Sequence, residues 1–77
     1  MEFNESLMHE LNLLSKFPAT SMEGLKIHHS ADPALVAAAT RLFDKGLITL
    51  NDGGYLTDLG REAAETTALL FGLLSPQ

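Results

Sequence analysis

The chain has no cysteine, few basic residues and no long apolar run. Without cysteine it can form neither a disulfide framework nor a thiolate metal site. No apolar stretch approaches the roughly 20 residues that a helix needs to cross a bilayer. The first residues carry acids in place of the basic segment of a secretory signal. We therefore expect a cytoplasmic protein without a membrane partner.

Five basic residues stand against ten acidic ones, which gives a formal net charge of −5. Affinity for DNA depends largely on neutralising phosphates, so this balance predicts weak or strongly salt-dependent binding. The middle third of the chain, residues 25–48, holds three bases and two acids and is the only third that is not negative. It also contains His28 and His29.

The chain of 77 residues has the size of one domain, which we assign to residues 1–77. A domain this small buries only about 60% of the surface of its unfolded chain, so its core is thin. Association with a second copy is a common supplement to such a core.

Four helices are predicted from apolar spacing and capping residues. The first runs from about Asn4 to Lys16, and the second, shorter one from about Ser21 to His28. The third is capped by Asp32, begins at Pro33 and is stopped by Gly46, and the fourth begins after Thr57. The residues predicted to face the core are Leu7, Leu11 and Leu14 in helix 1, Leu35 or Val36, Ala39, Leu42 and Phe43 in helix 3, and Leu59, Ala63, Leu70, Phe71 and Leu74 in helix 4.

A hairpin is predicted between helices 3 and 4, with strands Leu47–Asn51 and Tyr55–Thr57. A two-residue turn at Asp52-Gly53 would place Thr49 opposite Leu56. A three-residue loop at residues 52–54 places Leu50 opposite Leu56 and sorts apolar from polar side chains, so we favour this loop with a glycine bulge. In this register Ile48, Leu50 and Leu56 point towards the core.

A helix that leads into a hairpin and a further helix is typical of a winged helix-turn-helix. The segment KGLI from Lys45 to Ile48, and LTDLGREAAE from Leu56 to Glu65, resemble the wing and following helix of bacterial winged-helix regulators. Together with the leucine-rich first helix and residues 24–28, they resemble a small uncharacterised proteobacterial family described as DNA-binding. The resemblance implies a mainly α fold with a small β-hairpin, and little about mechanism.

DNA binding as a small regulator of transcription is the leading hypothesis, with helix 3 as the recognition helix. Small outward residues allow this helix to approach bases closely, and Arg41 can donate to a guanine or a phosphate. The wing tip carries Asp52 instead of a base, which disfavours contact between wing and phosphate. The predicted DNA contacts are Arg41, Lys45, Lys26, His28, His29, Ala34, Ala37 and Ala38.

The alternative is an acidic interaction or dimerisation module that does not bind DNA. Leu69 and Leu73 lie beside the inner stripe of helix 4, so we expect a homodimer through helices 1 and 4 with these two leucines in its interface. No nucleophile is paired with a base and no glycine-rich phosphate loop opens a helix, so we expect no catalysis. We also expect no metal and no small-molecule cofactor.

Overall fold

A computed structural model describes residues 1–18 and 23–76, and the structural statements below refer to them. They form three helices and a small three-stranded antiparallel sheet, which confirms a mainly helical fold with a small sheet. The strand order in the sheet is β1-β3-β2. The elements are α1 (Glu5–Leu14), β1 (Leu25–Lys26), α2 (Pro33–Asp44), β2 (Ile48–Leu50), β3 (Gly53–Leu56) and α3 (Asp58–Leu74).

Each helix begins at the capping residue that the sequence predicts. The side chains of Asn4, Asp32 and Thr57 accept hydrogen bonds from backbone N–H groups two or three residues later, at 2.9–3.0 Å. Such caps satisfy donors that have no partner within the helix. Helix α1 ends at Leu14, two residues before the predicted Lys16.

Helix α2 ends at Asp44, and Gly46, the predicted helix stop, follows two residues later with a φ of +78°. The N–H of Leu47 donates to the carbonyl of Leu42, and the N–H of Gly46 donates to that of Phe43. This pair of hydrogen bonds is the Schellman motif, which needs a residue in the left-handed region. It directs the chain from α2 straight into β2.

The predicted second helix is wrong over the part of it that is described. Ser21 and Met22 lie outside the described residues, but Leu25 and Lys26 form a strand that pairs with Gly54 and Gly53. A Cβ added to Gly53 would lie 2.1 Å from the Leu25 carbonyl oxygen, so the close approach of β1 depends on that glycine. This pairing to a distant part of the chain overrides the local helical pattern.

The hairpin is confirmed, but its predicted register is wrong. Ile48 pairs with Leu56 and Leu50 with Gly53, so the loop contains only Asn51 and Asp52. Between these pairs β3 has one residue more than β2, which is a β-bulge. The Thr49 hydroxyl accepts from the Tyr55 N–H at 2.9 Å across the bulge. Ile48 is buried, as predicted, whereas Leu50 is exposed because this register turns it outward.

The core lies between α1, α2 and β2, and Leu13, Leu42 and Ile48 are its largest fully buried side chains. Helix α2 packs through Ala38, Ala39 and Leu42, so the prediction that Ala38 faces outward is wrong. The buried stripe of α2 does not include Phe43, which is 42% exposed, so the prediction that Phe43 faces the core is wrong. The residues of α3 that were also wrongly predicted to be buried are Leu59, Leu70, Phe71 and Leu74.

Candidate functional site

A buried glutamate on α1 forms ion pairs with two of the basic residues that the sequence predicts as DNA contacts. The Glu10 side chain is only 6% exposed. Its Oε2 accepts from Arg41 Nε at 3.1 Å, and its Oε1 accepts from Lys45 Nζ. Arg41 Nη2 also donates to the Ser6 carbonyl at 3.1 Å. Because Arg41 and Lys45 are four residues apart on α2, they lie on one face and converge on the same carboxylate.

The carboxylate of Glu10 offsets one of the two positive charges in this cluster. Burial alone would raise the pKa of Glu10, but hydrogen bonds and charge from Lys45 and Arg41 outweigh burial and lower the pKa. Glu10 therefore stays ionised and leaves the three side chains with a formal charge of +1. Sequence reasoning missed this glutamate, although its position three residues after Leu7 and four before Leu14 places it within the apolar stripe of α1.

A second ion pair joins β1 to the loop between β2 and β3. Lys26 Nζ lies 2.9 Å from Asp52 Oδ2, and both side chains are exposed to solvent. The hydrogen bond from Lys26 is the main reason that the pKa of Asp52 is lowered. An exposed pair of this kind adds little stability. It does neutralise the charge of Lys26 beside this loop.

The other predicted DNA contacts do not all share one surface with Arg41 and Lys45. His28 and His29 are exposed and line a cleft of about 210 Å³ between α2 and the loop that joins β2 to β3. Lys26, Thr40, Asn51 and Asp52 line the same cleft. Arg41 and Lys45 instead face α1. Of the three alanines, Ala37 is exposed, Ala34 is half-buried and Ala38 is buried.

The other candidate surface is the C-terminal part of α3. We call its five large apolar residues, Leu69, Leu70, Phe71, Leu73 and Leu74, the α3 end. Their exposed fractions run from 40% for Leu70 to 74% for Leu74. Leu69 and Leu73 are thus on the surface, as expected for a dimer interface. The first half of the helix is different, because Gly60 and Ala64 are buried there.

Metal-ligating side chains do not cluster in residues 1–18 and 23–76, where no group of three or more histidines and carboxylates could share an ion. Within the same part of the chain, no helix has both the length and the apolar content to cross a membrane.

The family model described as a family of unknown function (DUF5669) matches residues 1–75. No curated protein and no solved structure matches the chain.

Proposed function

This chain belongs to the family of unknown function DUF5669, and we propose that it is a protein-association module whose working surface is the α3 end. The observation that carries the proposal is the exposure of five large apolar side chains within six residues of one helix. Single exposed apolar residues are ordinary on protein surfaces, but a contiguous patch of them marks an interaction site.

The charge distribution favours association with a protein through the α3 end over binding of a charged ligand by the basic residues. Three basic residues, Lys26, Arg41 and Lys45, each contact a carboxylate of the same chain. The α3 end, by contrast, lies in a segment from Thr66 to Pro76 that carries no charge. Burying this segment against another protein would therefore require no charged group to lose its water.

The test of the proposal is whether the α3 end is an accessible apolar surface in dilute protein. We expect wild-type protein to bind a neutral, environment-sensitive dye such as Nile red. Leu73→Glu should weaken that binding because it places a charge within the patch. Ala68→Glu adds the same charge on the opposite side of the helix and should leave the binding unchanged.

Two outcomes would overturn the proposal. One is wild-type protein that neither binds the dye nor associates at any concentration. The other is an equal effect of Leu73→Glu and Ala68→Glu, because the α3 end would then not be the surface involved. The helical circular dichroism signal should be kept in both variants, since both side chains are exposed.

DNA binding by a winged-helix arrangement is the second candidate function. The observation that favours it is the cleft beside α2, which brings Lys26, His28 and His29 together with Thr40 and Asn51. These side chains offer donors for phosphates and base edges next to a helix with small residues. The three-stranded sheet and the helix before its hairpin are compatible with a winged helix.

A salt titration of binding to mixed-sequence duplex DNA tests this candidate. If the cleft contacts phosphates, affinity should fall steeply as salt rises. Lys26→Glu should weaken binding, whereas Lys16→Glu, which makes the same charge change outside the cleft lining, should matter less. No binding at low salt would exclude DNA, and equal losses in the two variants would exclude the cleft as its site.

A further inference from the structure

We infer that the partner of the α3 end is a second copy of this chain, packed through the same five residues across a two-fold axis. This inference rests on the proposed function and names the partner for that surface. In such an interface the same patch serves both subunits, so it must be complementary to itself.

The inner stripe of α3 continues beyond the core that the chain itself provides. Gly60 and Ala64 are buried, and Ala63 and Thr67 are half-buried. At the same helical spacing the stripe reaches Leu70, Phe71 and Leu74, all of which are exposed. The 17 residues of α3 make a helix about 25 Å long, and within the described part of the chain its buried residues lie in the first half. The exposed half of α3 therefore has the apolar spacing of a helix that packs on a core, although these residues are exposed in the single chain.

The apolar surface of the α3 end is wider than one stripe. At about 100° per residue, its five residues cover an arc of roughly 200°, with Leu69 and Phe71 at the two edges. A single amphipathic contact uses an arc of roughly 100°. One α3 end of a second copy therefore covers about half of the arc, and the surface of that copy beside its α3 end has to cover the rest. Ala68 and Gly72 occupy the remaining side of the helix.

The charge pattern favours a second copy over a membrane or a basic protein. Two copies of a chain with a net charge of −5 repel one another, and the α3 end lies in a charge-free segment where they can approach closely. A helix that lies on a membrane surface carries lysine or arginine on its polar face. In α3 the charged residues are Asp58, Arg61, Glu62 and Glu65, with a sum of −2. A basic partner would be drawn to those acids and not to the uncharged end.

Sedimentation equilibrium over a range of protein concentrations tests the inference. We expect wild-type protein to form a dimer that dissociates on dilution. Leu73→Glu should raise the dissociation constant by roughly thirtyfold or more, which is the effect expected for a central interface residue. Ala68→Glu is the matched control and should dimerise as wild type does.

The possible outcomes separate this inference from the proposed function. If wild-type protein stays monomeric up to about 1 mM but binds Nile red, the partner is not a second copy, and the proposal that the α3 end is an association surface is unaffected. A monomer that does not bind the dye would overturn both. A dimer that Leu73→Glu leaves intact, or that Ala68→Glu weakens equally, would place the contact elsewhere and overturn the inference.

Discussion

The face of α2 that carries Arg41 and Lys45 and the α3 end both lie at the surface, but they differ in what the rest of the chain provides for them. Glu10 accepts hydrogen bonds from both cations of α2. Among residues 1–18 and 23–76, nothing comparable covers the α3 end, whose side chains are 40–74% exposed. The cations on the α2 face have a carboxylate partner within one copy of the chain. The apolar side chains of the α3 end are exposed to water, which is unfavourable in free energy until another surface covers them.

This difference shows that residue type alone does not identify a working surface. Arginine and lysine on a helix before a hairpin indicate DNA binding when they are free to meet phosphates. Here the buried acceptor on α1 uses part of their donor capacity, and Arg41 keeps a side-chain exposure of only 33%. The exposed apolar surface, the α3 end, lies on a helix to which the DNA hypothesis gives no contact with DNA.

The largest expected effect concerns the half of α3 that packs on the body of the domain. A Cβ at Gly60 would lie 1.8 Å from the Leu47 carbonyl oxygen, which is backbone and cannot move aside. Gly60→Ala should therefore destabilise the fold by about 3 kcal/mol. Chemical denaturation measures this, and an unchanged midpoint would show that α3 does not dock where the structure places it.

The second prediction concerns the ion pairs that satisfy the face of α2. Glu10→Gln should destabilise the fold by about 1–2 kcal/mol, less than the loss of a partner from a fully buried pair, because Arg41 and Lys45 can still reach water. The same variant releases both cations and changes the net charge by +1. If DNA binds through this face, Glu10→Gln should strengthen binding, and unchanged binding would exclude the face.

The contribution of Glu10 should also depend on pH in a defined direction. Its pKa in the folded protein lies below 4.5, so the unfolded chain takes up the proton first as the pH falls. The stability that Glu10 contributes is therefore complete well above pH 4.5 and is lost as the pH falls through the folded pKa. The difference in unfolding free energy between wild type and Glu10→Gln should shrink over that range. A constant difference would contradict the ion pairs.

The smallest expected effect comes from replacing Gly72, which lies in the C-terminal part of α3, by alanine. A Cβ at Gly72 would meet no atom within 4 Å. Gly72→Ala should therefore stabilise the domain by about 0.5–1 kcal/mol through helix propensity alone. A loss of stability would mean that the side of α3 carrying Gly72 is in contact with something, and it would contradict the division of the helix into a packed half and an open end.

The features that the sequence predicts correctly are those with a local cause. Asn4, Asp32 and Thr57 cap the helices, and Gly46 ends α2, because a few neighbouring residues determine each of these hydrogen bonds. The exposure of Leu69 and Leu73 follows in the same way from helical spacing.

The features that it misses depend on contacts between distant residues. Strand β1 forms because Leu25 meets Gly54, far along the chain. The pairing of Arg41 with Glu10 depends on how α1 crosses α2, which spacing within either helix does not show. Leu70, Phe71 and Leu74 were wrongly predicted to be buried because periodicity gives the direction of a side chain and not the extent of the core that it faces.

Hydrogen–deuterium exchange of the backbone amides at low and high protein concentration tests the central claim most directly. If the α3 end is covered by a second copy, exchange in residues 69–74 should slow as the concentration rises, while residues 10–14 in the core should exchange at the same rate throughout. Exchange in residues 69–74 that is independent of protein concentration would contradict the account.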